Sequence, residues 1–249
     1  MIDLEEQIAR WITDYVKKNN LSSLVIGISG GIDSAVTSTL CALTGIDTKL
    51  VIMPIHQNIE ETNRGINHCK FLKKKFNNIE VLNSNLTEVY ETIKNKIPKT
   101  YHNKLSLANT RARIRMTFLY SIAGGANGIV VGTGNKVEDF GIGFFTKYGD
   151  GGVDISPIAD LMKSEVYSLA KKLNINKEII EAPPTDGLWD DGRSDEDQLG
   201  VSYDELEWAM TCNLESLDKK QSNILKVYNK HRKQNLHKMK DIPVFKKKV

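Results

Sequence analysis

A glycine-rich segment near the N-terminus carries the residue types best suited to chemistry. It reads Gly27-Ile28-Ser29-Gly30-Gly31-Ile32-Asp33-Ser34 and lies between an apolar run at 24–28 and a predicted helix at 35–43. Adjacent glycines let the backbone approach a ligand closely and point successive N–H groups into one concavity. The helix N-terminus adds partial positive charge. We therefore expect the segment to bind phosphate groups, with hydroxyl donors from Ser29 and Ser34.

The carboxylate within this segment points to a metal ion. Asp33 would repel a bare phosphate, whereas as a ligand of Mg²⁺ it would hold phosphates through the ion. Neither GxxxxGK[ST] nor GxGxxG occurs in the sequence, so the segment matches neither of those nucleotide-binding motifs. The alternative is that residues 27–34 have only a structural role, as a tight strand-to-helix turn that contains an aspartate.

Residues 27–31 also fit GxSxG, the nucleophile elbow of serine hydrolases, which lies between a strand and a helix. Asp154 or Asp160, followed by His231 or His237, would give the order of serine, acid and histidine found in that class. However, only one strand precedes the segment, whereas the hydrolase fold builds several first. No HGGG segment supplies an oxyanion hole. We therefore favour phosphate binding over a nucleophilic serine.

Strand and helix patterns alternate along the chain and define how this segment is positioned. Apolar runs predict buried strands at 24–28, 50–55, 79–82 and 128–131, with 154–158 as the candidate for a fifth. Helical spacing is found at 4–16, 35–43, 60–75, 108–124, 162–173 and from 203 onwards. This order predicts one α/β domain over 1–249, a parallel sheet with helices on both faces and ligands at the carboxyl ends of its strands. In the polar stretch at 83–104 we expect a helix followed by a mobile segment, and we expect 83–104 and 184–199 to order only when substrates bind.

Composition excludes several classes of protein. The chain has 249 residues, 40% apolar and 26% charged, which is typical of a globular protein. Its 34 basic minus 31 acidic residues give +3, too little to indicate a nucleic-acid partner. No apolar run could span a membrane, and the N-terminus lacks the pattern of a secretory signal. Its three cysteines lie far apart, which favours neither disulfides nor zinc. We expect a cytoplasmic enzyme that binds neither nucleic acid nor membrane.

Five segments together resemble a known family. SGGIDSA at 29–35 resembles the pyrophosphate loop of ATP pyrophosphatases, which convert ATP to AMP and diphosphate. The other four resemble NAD synthetases, and they are NTRARIRM at 109–116, GTGNKVE at 132–138, FFTKYGDGGVD at 144–154, and PT, DE and LG at 184–185, 195–196 and 199–200. The resemblance runs from about residue 5 to about residue 235, with order and spacing kept. It implies a Rossmann-like fold of the adenine nucleotide alpha hydrolase type.

The resemblance also implies roles for individual residues. Residues 27–34 would bind ATP together with Thr133, Lys163 and Thr185. Asp33 and Glu138 would bind Mg²⁺. The deamido-NAD ligands would be Arg113, Lys147, Asp154, His231 and Arg232. Asp150 would lie beside the reacting carboxyl and position or deprotonate ammonia, while Lys147 and Lys163 would supply positive charge to the phosphoryl oxygens in the transition state.

The reaction implied is the amidation of deamido-NAD by ammonia, through an acyl-adenylate, in a homodimer. A chain of 249 residues leaves no room for the glutaminase domain of glutamine-using members, which favours free ammonia. Nicotinate mononucleotide stays open as the acceptor, and a tRNA-modifying ATP pyrophosphatase as a further alternative. Three departures from the family pattern stand out. They are HRK instead of HKR at 231–233, one extra residue between Glu138 and Lys147, and TDGLW at 185–189 where many members have [ST]ADL.

Overall fold

The computed structural model describes residues 2–185, 195–213 and 216–247. Its sheet has four parallel strands in the order β3-β2-β1-β4. The strands are β1 (Ser23–Gly27), β2 (Asp47–Ile52), β3 (Ile79–Asn83) and β4 (Gly128–Val130). The predicted α/β fold with a parallel sheet is confirmed, and each of these strands overlaps its predicted position.

The predicted fifth strand at 154–158 is wrong. Only a single parallel bridge, between Val131 and Ile155, extends the sheet there. Two backbone hydrogen bonds form, from Asp154 to Val130 and from Gly132 to Ile155. Pro157 then follows, and because proline has no N–H group the ladder cannot continue through it.

Helices cover both faces of the sheet. They are α1 (Leu4–Lys18), α2 (Ile32–Leu43), α3 (Ile59–Lys75), α4 (Thr87–Lys96), α5 (Lys104–Gly125), α6 (Lys163–Lys172), α7 (Lys177–Ile180), α8 (Asp195–Leu199), α9 (Tyr203–Thr211) and α10 (Lys219–Met239). A 3-10 turn spans Lys99–Tyr101 and a π-helix spans Lys136–Ile142. Residues 83–104 therefore carry α4 and the 3-10 turn. Much of 184–199 lies outside the described residues.

Alternating strand side chains build the two sides of the core. Leu24 and Ile26 of β1 pack into the larger cluster beside α2 and α6, whereas Val25 faces the cluster formed with α4 and α5. In α1, Ile12 is buried in the core but Trp11 remains 48% exposed. Within the described residues, no helix is both long and apolar enough to cross a membrane.

The strand order places a crevice at the end of β1. From β1 the chain crosses to β2 and β3 on one side, and later to β4 on the other side. The loops that follow β1 and β4 therefore diverge from adjacent strands, which is where open α/β sheets bind ligands. This arrangement brings residues 27–34 opposite residues 131–138.

Candidate active site

The loop after β1 is held by its own two serines. The Ser29 amide donates to Ser34 Oγ at 3.3 Å, and the Ser34 hydroxyl donates to the Gly31 carbonyl at 2.9 Å. Ser34 is buried and Ser29 is exposed. The side chains of Ile28 and Ile32 belong to the core, so only their backbone can face a ligand. Of the two predicted hydroxyl donors, Ser29 is therefore the accessible one.

The first turn of α2 is open to an anion. Its N-cap is Gly31, which offers no side chain to the first N–H groups of the helix. These uncapped donors and the helix dipole favour negative charge. Arg64 of α3 lies behind the loop, with its Nε donating to the Gly30 carbonyl at 3.3 Å. Together these features support the predicted phosphate site.

The Ser29 hydroxyl lies 3.1 Å from Ser34 Oγ and accepts a hydrogen bond from the Gly31 amide at 3.1 Å. In the part of the chain that the structure describes, no histidine is hydrogen-bonded to it. The geometry thus fits a phosphate ligand rather than the activated nucleophile of a hydrolase.

We expect Ser29→Ala to lower the rate of AMP formation about 10- to 100-fold without abolishing it, because one hydrogen bond to a charged group is lost. Steady-state kinetics with ATP as the varied substrate measures this. Complete loss of activity in a folded variant that still binds ATP would instead favour a nucleophilic serine.

Two carboxylates and one ammonium group meet at the centre of the site. Lys163 Nζ, at the start of α6, lies 2.6 Å from Asp33 Oδ2 and 2.9 Å from Glu138 Oε1. Lys163 is only 3% exposed. Three residues far apart in sequence, which the family resemblance assigned to ATP and metal, therefore converge on one point.

Burial and charge act against each other in this cluster. Burial raises the pKa of Asp33 above its ordinary value, although Lys163 opposes the shift. Burial would do the same to Glu138, but Lys163 and a hydrogen bond from Tyr203 leave its pKa below the ordinary range. Burial alone would lower the pKa of Lys163, yet the two carboxylates raise it, so the ammonium stays charged.

Asn135 joins the two sides of the crevice, and the sequence analysis missed it. Its side chain donates to Asp33 Oδ1 at 3.0 Å and accepts from the amides of Val137 and Glu138, each at 3.1 Å. It is fully buried. Its position three residues before Glu138, at the start of a helix, is the signal that could have identified it as a cap.

A π-helix spans Lys136–Ile142 and so begins the stretch between Glu138 and Lys147. A π-helix takes up additional residues without breaking the chain of backbone hydrogen bonds, and such turns often occur at functional sites. The π-helix ends at Gly143, which has φ +66°. Glu138 lies within its first turn and is therefore held rigidly next to Lys163.

Tyr203, at the start of α9, is the second contact that the sequence analysis missed. Its hydroxyl donates to Glu138 Oε1 at 2.6 Å and lies 3.2 Å from Asp195 Oδ2. Burial and the nearby carboxylates raise its pKa, so the phenol stays protonated and acts as a donor. Thr133 is half-buried just after β4. Thr185 follows Pro184, whose carbonyl accepts from the Asp195 amide at 3.0 Å, so Thr185 is tied to this corner.

A second group of predicted residues surrounds the segment at 144–154. Arg113 Nε donates to the Lys147 carbonyl at 3.2 Å, and Lys147 Nζ lies 3.4 Å from the His237 carbonyl. Asp150 is exposed as a residue, but its carboxylate accepts from the Thr146 amide at 3.1 Å and burial of that group raises its pKa. A carboxylate on a firmly held loop is suited to bind ammonium.

Two of the predicted dinucleotide ligands are occupied by the protein itself. Asp154 accepts from the Tyr120 hydroxyl at 2.9 Å and from the Val130 amide at 2.8 Å. Arg232 donates to the carbonyls of Phe140 and Gly141, which fastens α10 to the π-helix. His231 lies half-buried on the same helix.

Lys238 of α10 contacts the 144–154 segment directly, and the sequence analysis did not predict this contact. Its Nζ donates to the Phe145 carbonyl at 2.7 Å and lies 4.9 Å from the centre of the Phe145 ring. The pair His237–Lys238 follows the predicted pair His231–Arg232 by six residues. A histidine followed by a basic residue thus occurs twice on α10. The sequence alone could not tell which of the two pairs contacts the 144–154 segment.

The residues at the centre fit a magnesium ion bound together with a nucleotide. Asp33 and Glu138 provide two carboxylates that already share one cation, and Mg²⁺ is usually held by one or two carboxylates plus substrate phosphates. The open turn of α2 lies next to them for those phosphates. Fold and site together define an α/β nucleotide-binding enzyme of the ATP pyrophosphatase type.

Comparison with known proteins agrees with this class. The family model for NAD synthase matches residues 4–249, so the chain belongs to the NAD synthase family. It is 41% identical over 209 residues to the NH3-dependent NAD(+) synthetase of Alkaliphilus oremlandii, covering 80% of each chain.

Two solved structures have the same fold. The NMN synthetase of Francisella tularensis has a TM-score of 0.87 at 32% identity, with 97% of this chain and 96% of that chain covered. The NH3-dependent NAD synthetase of Campylobacter jejuni has a TM-score of 0.79 at 27% identity, with 98% and 100% covered.

Proposed function

We propose that this chain catalyses the ATP-dependent amidation of deamido-NAD by ammonia, giving NAD, AMP and diphosphate. The observation that carries the proposal is the convergence of Asp33, Glu138 and Lys163 beside an open helix N-terminus. Membership of the NAD synthase family supports the assignment of ATP, deamido-NAD and ammonia as the substrates.

The reaction runs in two steps. The nicotinate carboxylate attacks the α-phosphorus of ATP and displaces diphosphate, forming an acyl-adenylate. Ammonia then attacks the activated carbonyl carbon, and AMP leaves with the oxygen that joined it to the acyl group. Activation is required because a carboxylate is a poor electrophile and hydroxide a poor leaving group. Catalysis would come from positioning and from electrostatic stabilisation of the phosphoryl oxygens.

The chain's own residues divide between these two steps. The amides of the 27–34 loop and the Ser29 hydroxyl hold phosphate oxygens, and the Lys163 ammonium balances their charge. Asp33 and Glu138 would hold Mg²⁺, which when bound would supply positive charge for the diphosphate leaving group. Asp150 holds ammonium beside the acyl group and accepts the proton that must leave before nitrogen can attack. Arg113 and Lys147 face the acceptor.

Nicotinate mononucleotide is the second candidate acceptor. The solved structure with a TM-score of 0.87 is an NMN synthetase, and its product is the amide of that mononucleotide. The residues expected to bind ATP do not distinguish the two acceptors. The named NAD synthetase relatives favour the dinucleotide.

An acceptor series distinguishes these possibilities. AMP release is measured from Mg-ATP and ammonium with deamido-NAD, with nicotinate mononucleotide, or with neither. We expect AMP in a one-to-one ratio with new NAD. Activity with the mononucleotide alone would keep the chemistry and change the acceptor, whereas AMP release that needs neither acceptor would contradict the proposal.

We also propose that the enzyme is a homodimer in the cytoplasm. The exposed side of α5 and the adjacent loop form a shallow cavity of about 700 Å³, which includes Met116, Tyr120 and Tyr148. Tyr120 and Tyr148 are among the exposed large side chains. All three cysteines are free. We expect a dimer in sedimentation velocity, and a fully active monomer would contradict it.

A further inference from the structure

Tyr203 connects the carboxylate centre to the segment that contains Asp195. Its hydroxyl lies 2.6 Å from Glu138 Oε1 and 3.2 Å from Asp195 Oδ2. Its backbone amide donates to Glu196 Oε1 at 2.9 Å. One tyrosine thus contacts the proposed metal carboxylate and the first two of the three acidic residues at the start of α8.

The ring of Tyr203 is fixed by its surroundings. It is 6% exposed and packs in the cluster that contains Val137, Ile142 and Leu206. The helix that carries it begins with a capping box, in which the Glu205 amide donates to Ser202 Oγ and the Ser202 amide donates to Glu205 Oε2. The packing of the ring therefore fixes the position of the Tyr203 hydroxyl oxygen, because the side chain cannot rotate freely.

Lys163 and Tyr203 donate to the same oxygen of Glu138. Lys163 Nζ is 2.9 Å from Oε1 and the Tyr203 hydroxyl is 2.6 Å from it. Lys163 Nζ also lies 4.8 Å from the centre of the Tyr203 ring. The Asn135 side chain also contributes a hydrogen bond to this carboxylate. Glu138 is thus held from several sides, and the Tyr203 hydroxyl is the shortest of the contacts given for its Oε1.

We propose that Tyr203 is a positioning residue for this reaction, and that its hydroxyl orients Glu138 to bind the divalent cation that accompanies ATP. Partners that hydrogen-bond a metal ligand fix its direction, and losing one typically weakens metal binding 10- to 100-fold. The inference rests on the proposed use of Mg-ATP but not on the identity of the acceptor.

Tyr203→Phe is the direct test, because it keeps the ring and removes only the hydroxyl. Binding of Mn²⁺ is measured by calorimetry with α,β-methylene-ATP present, an analogue that cannot be cleaved between its α and β phosphorus atoms. We expect the affinity for Mn²⁺ to fall 10- to 100-fold. Binding of the analogue in EDTA should change less than about twofold, since Tyr203 contacts Glu138 and not the phosphate loop.

Tyr167→Phe is the matched control. Tyr167 of α6 lies within electrostatic range of Asp33, Glu138 and Lys163, and no hydrogen bond to these groups is recorded for its hydroxyl in the described residues. Its variant should bind Mn²⁺ as the parent protein does. The same pair of variants, assayed for AMP formation, should show the half-saturating Mg²⁺ concentration rise only for Tyr203→Phe, with kcat recovered at saturating Mg²⁺.

Unchanged Mn²⁺ affinity in Tyr203→Phe would overturn the inference and assign Tyr203 to packing alone. If the variant melts too low for calorimetry, the rise in its melting temperature on adding Mn²⁺ and analogue reports the same affinity by linkage. Because deamido-NAD is absent from the binding experiment, failure of the acceptor proposal would show in the acceptor series and not here.

Discussion

Lys163→Met is expected to reduce AMP formation about a thousandfold, because it removes the cation that balances charge on the phosphoryl oxygens. It is also expected to destabilise the protein by about 3 kcal/mol at pH 7, since Asp33 and Glu138 then remain buried without a partner. Methionine is unbranched like lysine and only one heavy atom shorter, so the loss is chiefly one of charge. Steady-state kinetics and urea unfolding measure the two effects.

Lys172→Met is the matched control on the same helix. Lys172 pairs with Asp3 and Glu5 at 3.0 and 2.9 Å but lies at the surface, where ion pairs are screened by water, so its loss should change stability far less than the loss of Lys163. In Lys163→Met, by contrast, the loss of unfolding free energy should become smaller as the pH falls from 8 to 5. Carboxylates buried without a cation have a raised pKa, so the folded variant binds protons more readily than the unfolded chain and gains stability as pH falls.

A variant of Lys163 that keeps more than a tenth of the parent activity would contradict the role assigned to this residue.

Gly30→Ala is expected to abolish nucleotide binding, because the loop after β1 cannot keep its path. Gly30 has φ +89°, and an added Cβ would lie 2.1 Å from the Glu61 carbonyl oxygen. The left-handed conformation costs a residue with a side chain about 1–2 kcal/mol, and the clash with α3 forces the backbone to move as well. Calorimetry with ATP should show binding at least 100-fold weaker.

Gly45→Ala separates the clash from the backbone strain. Gly45 follows α2 with φ +73°, and an added Cβ would meet no atom within 4 Å. This variant should lose about 1 kcal/mol of stability and bind ATP normally. Equal ATP affinity in the two alanine variants would show that the contact of Gly30 with α3 does not shape the phosphate site.

Much of the fold could be predicted from local patterns. The four strands are short apolar runs between turns, and the amphipathic spacing of α1, α3 and α5 identified those helices within a few residues. The start of α2 was placed too late, because the glycines and Asp33 resemble a loop until Gly31 is recognised as the N-cap. The fifth strand failed because periodicity at 154–158 does not register the missing N–H of Pro157.

The sequence predicted several residues of the candidate site but not how these residues are arranged in space. The family resemblance named Asp33, Glu138 and Lys163 separately, and only the fold shows that they form one ion-paired centre. Asn135 and Tyr203 carry no chemical signature in the sequence, since each acts through a contact across more than 60 residues. The π-helix and the approach of Lys238 likewise depend on tertiary packing.

The proposed route from carboxylate to amide is tested most directly by isotope transfer. Deamido-NAD labelled with ¹⁸O in its nicotinate carboxylate is converted with Mg-ATP and ammonium, and the products are analysed by mass spectrometry. An acyl-adenylate predicts one ¹⁸O atom in the phosphate of AMP for each NAD formed, and none in diphosphate. Unlabelled AMP would mean that another nucleophile attacked the α-phosphorus, and ADP with labelled inorganic phosphate would mean that the γ-phosphorus was attacked. Either result would contradict the proposed reaction.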